Sequence, residues 1–161
     1  MEFPSDKPEF FFEFVRRTRS VVEEYSGEYE ATLLANCLLG LLVVPKEHLF
    51  DRIPNEPLDR FPAWGVPPEA IQSPGRCDFG ETHDMNLRQL MKSLRHAVAH
   101  FAVSPLNEDG QSVGFIFKNR NGFELTLRLD QMRKLAIQLA EHLEQQLDPN
   151  QHIQRTGSAG R

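Results

Sequence analysis

The chain has 161 residues, of which 40% are hydrophobic and 25% charged. These are the proportions of an ordinary soluble globular protein, and they exclude a disordered or fibrous one. A net charge of −5 excludes a surface coated in positive charge for non-specific nucleic-acid binding, and leaves room for a local basic site.

The two cysteines, Cys37 and Cys77, do not make a disulfide framework, so a cytoplasmic, reduced chain is expected. Met1-Glu2-Phe3-Pro4-Ser5-Asp6 lacks the basic start and apolar run of a signal peptide. The longest apolar run, Ala31 to Val44, is interrupted by Thr32, Asn36, Cys37 and Gly40. It falls short of the roughly 20 residues that span a bilayer, so no membrane partner is expected.

The first helix is expected from the stripe Phe10, Phe11, Phe14, Val15, Thr18, Val21, Val22 and Tyr25, opened by Asp6 as a cap and by Pro8. Its other face carries Arg16, Arg17 and Arg19, and Ser26-Gly27 ends it. The second, from about Glu28 to Pro45, is apolar almost all round and is expected at the centre of the core. Asn36 within it reads as a satisfied core amide, and Cys37 as a small buried hydrophobe.

Between residues 45 and 82 stand seven of the eleven prolines and the only tryptophan, Trp64. Each proline removes a donor and restricts its predecessor, which excludes long helix here. Leu49, Phe50, Ile53, Phe61, Trp64 and Ile71 are too apolar for a free linker. This insertion is therefore expected to be ordered, irregular and packed on the helices, with Ile71 to Gly80 its most mobile part.

A third helix is expected from about His83, with Leu87, Leu90, Met91, Leu94, Val98 and Phe101 on its apolar side, closed by Pro105. Val113–Phe117 and Phe123–Leu127 flank Asn119-Arg120-Asn121-Gly122, a hairpin pattern. The last helix is expected from Asp130, as cap, to Leu147. The fold expected is mainly α: a bundle of four main helices with one small β-hairpin between the third and fourth and the Pro-rich excursion. Residues 1–147 read as one domain, and 148–161 as a polar, disordered tail.

The third helix ends Leu94-Arg95-His96-Ala97-Val98-Ala99-His100-Phe101. At about 100° per residue, His96 and His100 project about 40° apart, while Arg95 lies about 140° from His100. One helix does not close a compact site from Arg95 and His100; two copies about a two-fold axis do, because an isologous interface sets each residue near its counterpart. Taken without relatives, a histidine beside small residues on a helix is more often structural than catalytic. The pair His96 and His100 also has metal-ligand spacing, but Cys77 and His83 would have to complete the set across a loop, so no metal or other cofactor is expected. Arg16, Arg17 and Arg19 read as a solvated face or as an RNA groove.

Arg95-His96-Ala97-Val98-Ala99-His100 resembles the Arg-polar-x-x-x-His motif of the HEPN superfamily. Phe14-Val15-Arg16-Arg17-Thr18, Thr32-Leu33-Leu34-Ala35-Asn36, Gly40 to Glu47, and the hairpin with its following helix are similar to a small plasmid and bacterial branch of that superfamily. The resemblance covers about residues 8 to 147. It implies a HEPN-like up-down bundle and a metal-independent endoribonuclease, a hydrolase-type toxin or phage-defence factor. It further implies RNA as substrate, a homodimer with the site at its interface, and an antitoxin or other protein as a further partner.

That reaction needs a group titrating near pH 7 and a cation for the developing phosphorane charge. His100 suits the first role, since an unperturbed imidazole titrates near 6.5, and Arg95 the second, by bidentate contact with phosphate oxygens. His96 takes the family's polar position, orienting the phosphate or His100. The reaction would leave a 2′,3′-cyclic phosphate. The alternative is a non-catalytic HEPN module that binds RNA, a nucleotide or a partner protein.

Overall fold

A computed structural model describes residues 2–45, 47–76, 85–148 and 150 of the chain. Helix α1 (Lys7–Glu24) begins after Asp6 with Pro8 in its first turn, as expected, and buries Val15 and Val22. Helix α4 (Leu129–Leu147) lies against it and buries Met132, Leu135, Ala136, Leu139, Ala140 and Leu143 at helical spacing. Arg133 of α4 donates to the carbonyls of Val22 and Tyr25 at the end of α1, and to the Glu30 carboxylate at 2.6 Å. One guanidinium thus satisfies carbonyls left open at the C-terminus of α1 and ties α4 to the start of α2 (Glu30–Val43).

Helix α2 packs on α4, α3 and α1, yet it is not the central, all-round buried helix its composition suggested. Leu34, Leu38, Leu41 and Leu42 are buried, whereas Leu39 and Val43 remain about 40% exposed. Asn36 is exposed as well, so it is not a core amide, and Cys37 is half-buried. Thr32, Asn36, Leu39 and Val43 recur at spacings of three and four, which makes the open side of α2 one continuous stripe.

The proline-rich excursion is ordered where described, in four short 3-10 segments: Glu47–Arg52, Leu58–Arg60, Pro62–Trp64 and Pro68–Ala70. Leu49, Phe50, Ile53, Trp64 and Ile71 join the common core, and Phe61 packs at its margin. The excursion fastens to α3 (Leu87–Ala99), since Leu87 N–H donates to Glu56 O and Arg88 N–H and Nε donate to Pro54 O and Ile53 O. The segment expected to be most mobile instead opens with strand β1 (Ile71–Pro74), and residues 77–80 lie outside the described part.

The single hairpin expected from the sequence is the middle of a four-stranded antiparallel sheet, ordered β1-β4-β3-β2. Its members are β1, β2 (Val103–Glu108), β3 (Gln111–Lys118) and β4 (Phe123–Arg128). Along β4, Phe123, Leu125 and Leu127 face the core at period two. Pro105, expected to close the third helix, instead lies within edge strand β2, where a missing ladder donor is tolerated. Asp109 and Gly110, both at positive φ, form a two-residue turn between β2 and β3.

Two helix starts also differ. Asn86, not a residue near His83, caps α3: its side chain accepts from Gln89 N–H while the Gln89 side chain accepts from Asn86 N–H. Strand β4 runs straight into α4, so Arg128 takes the cap position and Asp130 falls in the first turn, where its carboxylate faces the positive end of the helix dipole.

Candidate functional site at the end of the third helix

Helix α3 stops within its own motif. His100 is the C-cap, Phe101 adopts the left-handed conformation at φ +53°, and the chain turns back into β2. Phe101 N–H donates to Val98 O at 3.0 Å and Ala102 N–H to Ala97 O at 2.8 Å. Those two bonds define a Schellman ending, in which the left-handed position usually belongs to glycine. Here a phenylalanine occupies it, with 83% of its surface exposed.

This ending leaves both histidines exposed on one side. The rings of His96 and His100 lie 4.3 Å apart, centre to centre, at 52°. They open on a hollow of about 400 Å³ lined also by Ala102, Lys118, Asn119 and Arg120.

Arg95 sits on the other side of His96. Its Nε donates to Leu42 O at 3.0 Å, and its guanidinium lies 5.4 Å from the centre of the Phe50 ring. Both partners are buried, so the arginine is held half-buried between α2 and the excursion. It lines a hollow of about 200 Å³ with Val43, Phe50, Lys92, His96 and Ala99. His96 therefore borders both hollows, while Arg95 and His100 line different ones, as expected from their angular separation on one helix.

The turn from β3 to β4 completes the larger hollow. Lys118 N–H donates to Ala102 O at 2.9 Å, and the Asn119 side chain donates to Ser93 O at 3.0 Å. The turn is thereby fastened to the chain on both sides of the motif. It closes on itself through Gly122 N–H to Asn119 O, with Gly122 at φ +95°. Arg76 N–H donates to Asn121 O at 2.7 Å, bracing it from beyond β1.

Lys92, Lys118, Asn119 and Arg120 were not singled out as site residues from the sequence. The only signal was a pair of cations flanking a turn asparagine, and the turn lies near the motif only through tertiary contacts. With Arg95, the two hollows carry four cations and no carboxylate among the described residues of their lining. Lys92 is paired with Asp51 at 2.8 Å and Lys118 with Glu124 at 3.5 Å, both exposed contacts.

The arginines of α1 are engaged elsewhere. Arg16 and Arg17 bind the Glu13 carboxylate at 2.8 and 3.1 Å, which holds that carboxyl down at about 2, and Arg19 pairs with Glu23, Glu141 and Glu144. None of the three lines either hollow around His96. Cys77 and His83, which a metal site built on His96 and His100 would need, lie outside the described residues.

An apolar groove of about 400 Å³ runs beside the motif. Asn36 and Leu39 of α2, Val98 of the motif helix, Phe101 just beyond its end, and Pro105 and Phe115 of the sheet contribute to it. It continues the open stripe of α2 up to the exposed Phe101.

A protein-family model described as HEPN pEK499 p136 matches residues 1–150. Comparison with curated proteins and with solved structures finds no match.

Proposed function

The chain belongs to the HEPN pEK499 p136 family, and from that premise we propose that it is a metal-independent endoribonuclease with a composite site at a homodimer interface. The observation that carries this reading is the pair His96 and His100, exposed side by side in a hollow whose lining, among the described residues, bears cations and no carboxylate. A site of that charge attracts a phosphodiester while supplying imidazoles for proton transfer.

In this reading the 2′-hydroxyl of the substrate attacks the adjacent phosphorus. Its proton passes to the His100 imidazole, the bond from phosphorus to the 5′-oxygen breaks, and that oxygen takes up a proton. The products are a 2′,3′-cyclic phosphate and a 5′-hydroxyl. The guanidinium of Arg95 neutralises the extra negative charge on the phosphorane oxygens, a contact that strengthens as the charge develops. His96, between the two hollows, orients the phosphate.

Arg95 and His100 of one chain line different hollows, so a second copy is required to bring one chain's Arg95 opposite the other's His100. The open stripe of α2 and the exposed Phe101 support such a pairing. A contiguous apolar surface next to a polar site is the usual mark of an interface, and an isologous contact there would repeat both motifs about the axis. A toxin or defence role against phage, with an antitoxin as binding partner, extends this reading to the cell.

The test is cleavage of a single-stranded RNA by the purified protein and by His100→Ala, each with EDTA. Cutting by the unaltered protein that survives EDTA, yields a cyclic phosphate and disappears in His100→Ala is expected. Equal cutting by both, or cutting abolished by EDTA, overturns it. RNA binding without cutting would identify a non-catalytic HEPN module.

A further inference from the structure

We infer that the β3–β4 turn is the substrate clamp of this site, with Arg120 and Lys118 gripping an RNA backbone phosphate next to the one cleaved. The inference rests on the ribonuclease reading for the nature of the ligand, and on the geometry of the turn for its place.

Three observations carry it. The turn is rigidly registered to the motif: Asn119 donates to Ser93 O two residues before Arg95, and Lys118 N–H to Ala102 O two residues after His100. Any cation on this turn therefore keeps a fixed relation to both histidines. Next, Arg120 occupies the exposed corner of the turn and lines the hollow of His96 and His100. Among the described residues no hydrogen bond or ion pair engages its guanidinium, whereas the arginines of α1 are all paired with carboxylates. Finally, the single ion pair of Lys118 among the described residues, with Glu124, is exposed and 3.5 Å long. A pair of that kind contributes little and exchanges readily for a phosphate.

The division of labour follows from position. In the composite site a second copy's Arg95 stands opposite His100 at the phosphate being cleaved, which leaves Arg120 and Lys118, along the same hollow, for a neighbouring phosphate that carries the same charge before and during the reaction. Contacts of that kind bind ground state and transition state alike and act on KM rather than on kcat. Asn119 is a positioning residue, setting where the two cations stand.

The experiment measures binding of a fluorescent single-stranded RNA oligonucleotide to His100→Ala protein over a range of salt, with and without Arg120→Ala and Lys118→Ala. Loss of both cations should weaken binding roughly tenfold or more and flatten the dependence of log affinity on log salt by about 0.7 for each phosphate contact removed. In the parent carrying His100, the same pair of substitutions should raise KM and leave kcat within about twofold. Should the double variant fold poorly, Arg120→Glu alone, at an exposed position, should weaken binding further than Arg120→Ala. Unchanged affinity and unchanged salt dependence overturn the proposal, as does a fall in kcat at constant KM. Failure of the parent to cut RNA overturns the nuclease reading alone, and the binding measurements then decide the clamp.

Discussion

The side-chain amide of Asn119 donates to the backbone carbonyl of Ser93 at 3.0 Å, so a turn of the sheet is pinned to the helix that carries Arg95, His96 and His100. The Asn119 Oδ1 is buried without a partner among the described residues, so this residue is held by what it donates.

Replacing Asn119 by Ala removes that bond. Ser93 O sits in mid-helix, where a backbone partner remains to it, and the orphaned Oδ1 disappears with the side chain. The expected loss is therefore at the modest end for a hydrogen bond, about 1 kcal/mol, by urea denaturation. With the proposed clamp, the loss in RNA affinity should be larger, because the turn no longer holds Arg120 and Lys118 in register.

Phe101 holds a left-handed backbone at φ +53° with its ring 83% exposed. A left-handed non-glycine residue costs roughly 1–2 kcal/mol, and glycine removes that cost while loosening the unfolded chain. Phe101→Gly should therefore stabilise the fold by about 0.5 kcal/mol, read as a higher Tm. The same substitution should weaken the proposed dimer, seen as a shift to monomer in sedimentation at micromolar concentration. A Tm below that of the parent, or an unchanged dimer, contradicts the reading of this residue as strained for the sake of contact.

Gly114 pairs with Leu106 and Arg128 in the sheet, and a Cβ there would run into Leu127 O. The obstacle is backbone in the adjacent strand, which no rotamer change relieves. Gly114→Ala should cost at least about 2 kcal/mol by denaturant unfolding.

Burial pushes the His142 imidazole below its ordinary 6.5, an effect reinforced by the charge of Arg52 and opposed by a hydrogen bond to the Leu49 backbone. Its Nε2 has no partner among the described residues. The unfolded chain takes up a proton near 6.5 and the folded chain only at lower pH, so stability falls as pH drops below 6.5 through the folded value. Between about pH 7 and about pH 5.5 the Tm of the parent should fall more than that of His142→Gln. Parallel curves would remove His142 from the acid response.

The helices were legible because their information is local. The stripe of α1, the leucines of α2 and α3, and the alternation along β4 each repeat within a dozen residues, and burial follows that repeat. The motif was legible for the same reason, being six residues on one helix. The apolar side of α2 misled, because apolar composition does not say whether the covering surface belongs to the same chain. Strands β1 and β2 were missed for a different reason. Each is short and carries proline, and only pairing with β4 and β3, distant or separated by a turn, makes it a strand. Asp109-Gly110 is a readable hairpin signal, but a helix closed by Pro105 leaves no strand before it for the turn to join.

By itself the amino-acid sequence determined four helices, a core that includes the proline-rich excursion, and Arg95, His96 and His100 as the residues to watch. Only the tertiary structure decided what surrounds them. It put Arg95 under Phe50 and against Leu42, on the far side of His96 from His100. It brought Lys118 and Arg120 to the histidines through bonds to Ser93 and Ala102. Periodicity reports which face of an element is apolar. Which elements then meet is set by packing and hydrogen bonding between residues far apart in the chain.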